Sequence, residues 1–270
     1  MSNWQAGIDL AAVPADFVIM KATQGTNYVS PDCDRQYQQA KKAGRLLGVY
    51  HYVAGGNAIA EADYFVNNIK GYIGEALLVL DWEAEQNGAW GNEAYLEQVA
   101  RRVIDHTGVK PLIYSMASRY AQVAPVADKL DCGLWIAQYA NNKPTGYQSH
   151  PWNEGAYGCA IRQYTSAGCL PGYDGTLDLN IAYMDRNAWM KYAAKNGKPA
   201  PAPAKPAPAP AKPAPAPKPA GRTYTVQAGD TLSGIAAKLG VSTSAISGYR
   251  SGNPNLIYPG EVLKINGGNA

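Results

Sequence analysis

With 270 residues, 46% of them hydrophobic, the chain can bury one large core and one small one. Its formal net charge of +3 is not a nucleic-acid footprint: residues 1–196 hold 16 basic and 19 acidic groups, and the positive balance comes from four lysines in 197–221 and from the tail. Three scattered histidines and four cysteines without a C-x-x-C pair argue against a zinc site, and no run approaches the roughly 18 apolar residues of a membrane helix.

In chain order, strands are expected at 7–10, 17–23, 46–53, 76–83, 111–115, 134–139, 160–165 and 176–180. Asp32 is placed to cap a helix running to Gly44, Asn57 a helix ending near Lys70, and Asn92 a helix with Gly108 just past its end. Strands alternating with helices predict βα units on a mostly parallel sheet. Eight strands within 196 residues predict an α/β barrel, irregular because the later strands follow one another with little helix between. Polar residues at the C-terminal ends of such strands converge on one site. From 198 to 220 the sequence reads KPAPAPAKPAPAPAKPAPAPKPA and holds ten of the 19 prolines. This predicts a polyproline II spacer of roughly 70 Å, at about 3.1 Å per residue. The expected division is a domain at 1–196, a linker at 197–221 and a second domain at 222–267.

The apolar run Ala76-Leu77-Leu78-Val79-Leu80 ends in Asp81-Trp82-Glu83. Residues i and i+2 of a strand share a face, so Asp81 and Glu83 would enter one pocket. Two carboxylates that close cannot both ionise cheaply, and a carboxyl kept neutral can protonate a glycosidic oxygen. The same triplet also fits a solvated loop whose acids cap a helix or bind a cation. Asp9 on the first strand and Asp178 on the last would face Glu83 if the barrel closes. Aromatics are biased toward those with a polar edge, with 19 Tyr and six Trp against two Phe, which suits stacking on sugars. Groove candidates near strand ends are Tyr50, Tyr52, Tyr114, Trp135, Gln138, Tyr139 and Gln163. For Trp135 packing is the better reading. His51 alternates away from the tyrosines and reads as structural.

Residues 6–190 resemble the glycoside hydrolase family 25 muramidases, the Chalaropsis-type lysozymes found among phage endolysins and bacterial autolysins. The resembling segments run in order: GIDL, FVIMKATQGTNYVSP (17–31), AKKAGRLLGVYHY (40–52), LLVLDWE (77–83), KPLIYS (110–115), LWIAQY (134–139) and IRQYTSAGCLPGYDGTLDLN (161–180). The resemblance implies an irregular (β/α) TIM-like barrel, with Glu83 as general acid and Asp9, Asp81 and Asp178 as supporting carboxylates. It implies an N-acetylmuramidase that cuts the β-1,4 bond between N-acetylmuramic acid and N-acetylglucosamine in peptidoglycan. Two departures stand out: Gln24 replaces the family's usual Glu, and Leu10-Ala11-Ala12-Val13-Pro14 replaces a Ser-rich segment. Residues 224–265 resemble a LysM module, which implies a small βααβ fold binding N-acetylglucosamine-containing glycans through Gly229, Asp230, Thr231 and Leu232, with Asn255, Leu256 and Ile257 opposite.

The competing readings are a glycan-binding protein without activity, disfavoured by the intact acid set, and another peptidoglycan hydrolase: a glucosaminidase, or an amidase, which would need metal ligands or a Cys/His pair. The expectation is a monomer acting on peptidoglycan without cofactor, metal, nucleic acid or membrane partner. MSNWQAGIDL lacks the charged and apolar regions of a secretory signal. That favours a phage enzyme released from the host cytoplasm by a holin-type route, or export by a non-Sec route.

Overall fold

A strand with no polar side needs cover on both faces, and Leu77–Asp81, buried at every position, has it. In the computed structural model, which describes residues 1–197, 222–227, 229–249 and 257–265, the chain divides into two units, Met1–Pro203 and Ala204–Ala270. The expected linker lies outside the described residues apart from Gly197. The first unit is built on eight strands: β1 (Phe17–Gln24), β2 (Tyr28–Val29), β3 (Leu46–Tyr52), β4 (Leu77–Asp81), β5 (Leu112–Met116), β6 (Leu134–Ala137), β7 (Ile161–Gly168) and β8 (Leu177–Ala182). Their order is β2-β1-β3-β4-β5-β6-β7-β8, with β1 and β3 to β7 parallel and the two edge strands antiparallel. Helices α1 (Cys33–Lys42), α2 (Ala58–Asn68), α3 (Glu93–Thr107) and α4 (Tyr120–Leu130) connect the parallel strands, and α5 (Arg186–Ala193) follows β8.

Period-two alternation splits the core into two layers. Leu78, Leu80 and Ile113 pack outward against Phe65, Leu96 and Val99 of the helices. Leu77, Val79, Leu112 and Trp135 pack inside the curl of the sheet. There Trp189 of α5 is fully buried, has its ring tilted against Phe17 at the start of β1 with centroids 4.9 Å apart, and donates its Nε1–H to the Leu47 carbonyl at 3.1 Å. Trp189→Ala is expected to cost about 3–5 kcal/mol of stability, read by denaturant unfolding; a loss below about 1 kcal/mol would mean the site collapses around the cavity.

The caps follow the sequence. Asn57 accepts from the Ala60 N–H, Asn92 from the Tyr95 N–H, and Gly108 adopts φ +69°. Asp32 stands at the start of α1, but its carboxylate holds Arg35 at 3.0 Å instead of a helix N–H. Helix α4 was not visible in the sequence because Pro125 sits inside it.

The expected strand at 7–10 does not form. Asp9 Oδ1 accepts from the Ala11 N–H at 2.9 Å, and the Asp9 carbonyl accepts from Ala12 and Val13 at 3.1 and 3.2 Å. This local bonding competes with a strand ladder and winds the segment into turns, while Ile8, Leu10 and Val13 still bury against the sheet. The barrel is therefore not closed by a first strand lying against the last. The sheet is a curled half-barrel, with β2 and β8 as its edges.

Among the described residues of the second unit, β9 (Arg222–Thr225), β10 (Ile246–Ser247) and β11 (Val262–Ile265) form a sheet of order β10-β11-β9, accompanied by helix α6 (Leu232–Leu239). Val226, Ile235, Ile246, Leu263 and Ile265 make its core. Thr231 caps α6 through the Gly234 N–H, and Gly240 ends it at φ +65°. The second helix expected from Thr243 is one 3₁₀ turn, Thr243–Ala245, running straight into β10, because Ser242 and Ser244 bond each other at 2.8 Å.

Candidate active site

Alternation along Asp81-Trp82-Glu83 builds the site. Trp82 points outward and is fully buried, with its ring 5.7 Å from Trp90 and 6.5 Å from Tyr95. Its backbone is held on both sides: its N–H donates to the Tyr114 carbonyl at 2.9 Å, and its carbonyl accepts from Ser115 Oγ at 2.8 Å. With Trp82 fixed, Asp81 and Glu83 both face a cavity of about 290 Å³ on the inner side.

The other walls come from strand ends. Tyr50 and Tyr52 (β3), Tyr114 (β5), Trp135 (β6), Tyr139 just past β6, Gln163 (β7) and Asp178 (β8) all line the cavity. Trp135 meets Tyr114 edge-on at 4.7 Å and donates its Nε1–H to Asn180 Oδ1 at 2.9 Å, so it both packs and forms wall. The Tyr114 hydroxyl stands between Gln163 Oε1, 2.5 Å away, and the Glu83 carboxyl. It carries one proton. Donated to Glu83 that proton favours the carboxylate, whereas donated to Gln163 it leaves the hydroxyl free to accept from a protonated Glu83.

Burial and charge favour retention of a proton. Asp81 is 8% exposed, and its Oδ1 has no hydrogen-bond partner among the described residues. Burial, then the neighbouring Glu83 charge, push Asp81 well above the usual carboxylate range. Burial also raises Glu83; the Tyr114 hydrogen bond pulls it back, while Asp178 and Glu85 add to the rise. Such a pair titrates as a unit, losing its second proton only at elevated pH.

Two expected residues stand elsewhere. Asp9 is exposed and committed to its own turn, and it does not line the acid cavity. Gln138 also faces away, because on β6 and its continuation Trp135, Ala137 and Tyr139 take the inner side. Its Oε1 accepts from Asn153 at 2.9 Å and from the buried Arg162 at 3.0 Å. Conversely, Ser2, Trp4, Lys21 and Val79 line the cavity and were not singled out. Lys21 had a signal, a lone cation within the apolar strand FVIMKATQ. A neighbouring hollow of about 550 Å³ shares Ser2, Trp4, Tyr50 and Asp178 with the acid cavity and adds Tyr173. A larger groove, about 660 Å³, contains Asp178 but neither Asp81 nor Glu83.

Residues 1–173 match the model of glycosyl hydrolases family 25. The chain belongs to this family. Residues 224–266 match the LysM domain. Among relatives, protein YegX of Escherichia coli K12 is 29% identical over 194 residues, covering 67% of each chain. Lysozyme M1 of Streptomyces globisporus is 27% identical over 203 residues, covering 67% of this chain and 65% of that one. The chain thus spans about two thirds of the length of these relatives. The muramidase structure from Acremonium alcalophilum superposes with a TM-score of 0.55 at 27% identity, over 73% of this chain and 97% of that one. The family 25 domain is a glycoside hydrolase of the muramidase and lysozyme type, and peptidoglycan hydrolysis is the reaction of its family. Its half-barrel is the fold shared with the family's solved structures.

His51, set aside from the site in the sequence, does not line the acid cavity. The ring is fully buried, with Nδ1 2.8 Å from Thr23 Oγ1 and Nε2 3.2 Å from Glu61, which also accepts from the Tyr95 hydroxyl at 2.8 Å. In the LysM unit, Asp230 spends its carboxylate on the Gln227 N–H and the Tyr224 hydroxyl, at 2.7 and 2.9 Å. Gly229 takes φ +91°, and Leu232 is part of the core. Ile257 packs against that core, and Asn255 and Leu256 lie outside the described residues.

Proposed function

We propose that this chain cleaves the β-1,4 bond between N-acetylmuramic acid and N-acetylglucosamine, with Glu83 as the proton donor. The observation that carries the proposal is the pair of neighbouring, largely buried carboxyls, Asp81 and Glu83, facing one aromatic-lined cavity. Glu83 gives its proton to the glycosidic oxygen as the bond breaks. With the pair's shared proton on Glu83, Asp81 and Asp178 stabilise the positive charge that develops on the sugar ring. Tyr50, Tyr52, Tyr139 and Trp135 offer ring faces and edges to pyranose rings. Asp9 has no part in the proposed chemistry. Mass spectrometry of digested peptidoglycan tests the bond cut: N-acetylmuramic acid at the new reducing ends supports the proposal, and N-acetylglucosamine there contradicts it.

The proposed division of labour puts catalysis in 1–196 and wall attachment in 222–267, across the Pro/Ala linker 197–221. The turn at Gly229 and Asp230 supports a glycan contact made by backbone groups, since the side chains of Asp230, Thr231 and Leu232 are already used within the unit. Removing residues 204–270 is expected to slow lysis of intact walls at low enzyme concentration and to leave cleavage of soluble glycan fragments near the full rate. Equal rates of both proteins on dilute intact walls would remove the anchoring role.

A further inference from the structure

Lys21 and Gln24 lie three residues apart on β1, and Lys21 lines the cavity that holds the acid pair. Lys21 Nζ donates to Gln24 Oε1 at 2.6 Å and lies 4.8 Å from the Tyr52 ring centroid and 5.4 Å from that of Tyr28. Among the described residues no carboxylate lies within 4.0 Å of it. Gln24 Nε2 donates in turn to Gln86 Oε1 at 2.9 Å, in the loop that follows Glu83. Gln86 sits at φ +55°, a conformation non-glycine residues seldom take. The Tyr52 hydroxyl donates to the adjacent Glu85 carbonyl, and Asn87 Nδ2 donates to the Glu83 carbonyl at 3.0 Å. A polar chain thus ties Lys21 to the segment carrying the acid.

We propose that Lys21 is a positioning residue whose charge, left unneutralised by the amide of Gln24, acts across the cavity on the Asp81–Glu83 pair. The inference rests on reading that pair as the reacting acids. An amide oxygen satisfies one of the three ammonium donors without cancelling its charge, and ring faces attract a cation without neutralising it. A carboxylate at position 24 would form an ion pair with Lys21 and cancel the field reaching the acids. The amide also does what a carboxylate cannot, accepting from Lys21 while donating to Gln86. The groups facing the pair are Lys21 from β1, the Met1 amino group, Tyr50 and Tyr52 from β3, Glu85 from the following loop, Tyr114 from β5, Tyr139 past β6, and Asp178 from β8. Lys21 is itself drawn below the usual lysine range by burial, with Asp81 and Glu83 opposing.

The sign is fixed by electrostatics. A cation near a carboxyl favours its ionised form and lowers its pKa, so losing or neutralising that cation raises it. Lys21→Met removes the charge, and Gln24→Glu keeps the lysine but pairs it. Both are expected to move both limbs of the pH–rate profile on peptidoglycan to higher pH, although the two substitutions share no chemistry. Lys21→Arg, which keeps the charge, is expected to restore the wild-type position of the limbs. Should Lys21→Met fail to fold, Gln24→Glu, a near-isosteric change at a half-buried side chain, carries the test alone. Profiles of active variants that stay at the wild-type pH, or move to lower pH, overturn the inference. An active Glu83→Gln enzyme would instead overturn the acid assignment, so the two failures are distinguishable.

Discussion

Glu83→Gln is expected to lower the rate of wall lysis by at least about 100-fold, the lower end of what a positioned general acid contributes. The amide keeps the shape and can still meet the Tyr114 hydroxyl, but it has no acidic proton to give. Glu83 is half-buried just past β4 and its carbonyl is held by Asn87, so the fold is expected to persist. Circular dichroism and the unfolding midpoint check that point, and turnover on purified peptidoglycan checks the chemistry. A folded variant with substantial activity would place the proton donor elsewhere.

Asp81→Asn is expected to move the alkaline limb of the pH–rate profile to lower pH. Two neighbouring carboxyls resist the second ionisation, so the pair keeps a proton above the ordinary range. A neutral amide at 81 removes that repulsion, Glu83 loses its proton earlier, and the acid form is present over a narrower span of pH. The maximum rate is expected to fall as well, because one of the charges stabilising the sugar cation is gone. The rate is to be followed across the pH range in buffers of constant ionic strength. An alkaline limb that stays in place in an active variant would mean the two carboxyls do not couple.

The acid pair was legible because its signal is local. Five apolar residues before D-W-E identify a buried strand, and period two sends residues 81 and 83 to one side whatever surrounds them. The aromatic wall was legible for the same reason, and Gln138 shows the rule misapplied: it sits between Ala137 and Tyr139, so the alternation that brings Tyr139 inward sends Gln138 outward to the buried Arg162. Asp9 was misread because a short stretch such as Gly7-Ile8-Asp9-Leu10 alternates like a strand, and only the Asp9–Ala11 bond reveals the turn. Closure of the barrel depended on that strand and fell with it. Lys21 was passed over because a lone lysine in an apolar strand reads as one that reaches solvent with its stem buried, and its place beside the acids depends on tertiary pairing of β1 with β3.

In the proposed mechanism the Asp81–Glu83 pair holds a proton at a pH where ordinary carboxyls have lost theirs. Carbon-13 NMR titration of the full chain, labelled at the Asp and Glu carboxyl carbons and compared with Glu83→Gln and Asp81→Asn, measures this directly. Carboxyl resonances which vanish in these variants are expected to titrate above the ordinary Asp and Glu range, and in Asp81→Asn the remaining Glu83 signal is expected to titrate lower than in the parent. Resonances of both groups titrating within the ordinary range would contradict it.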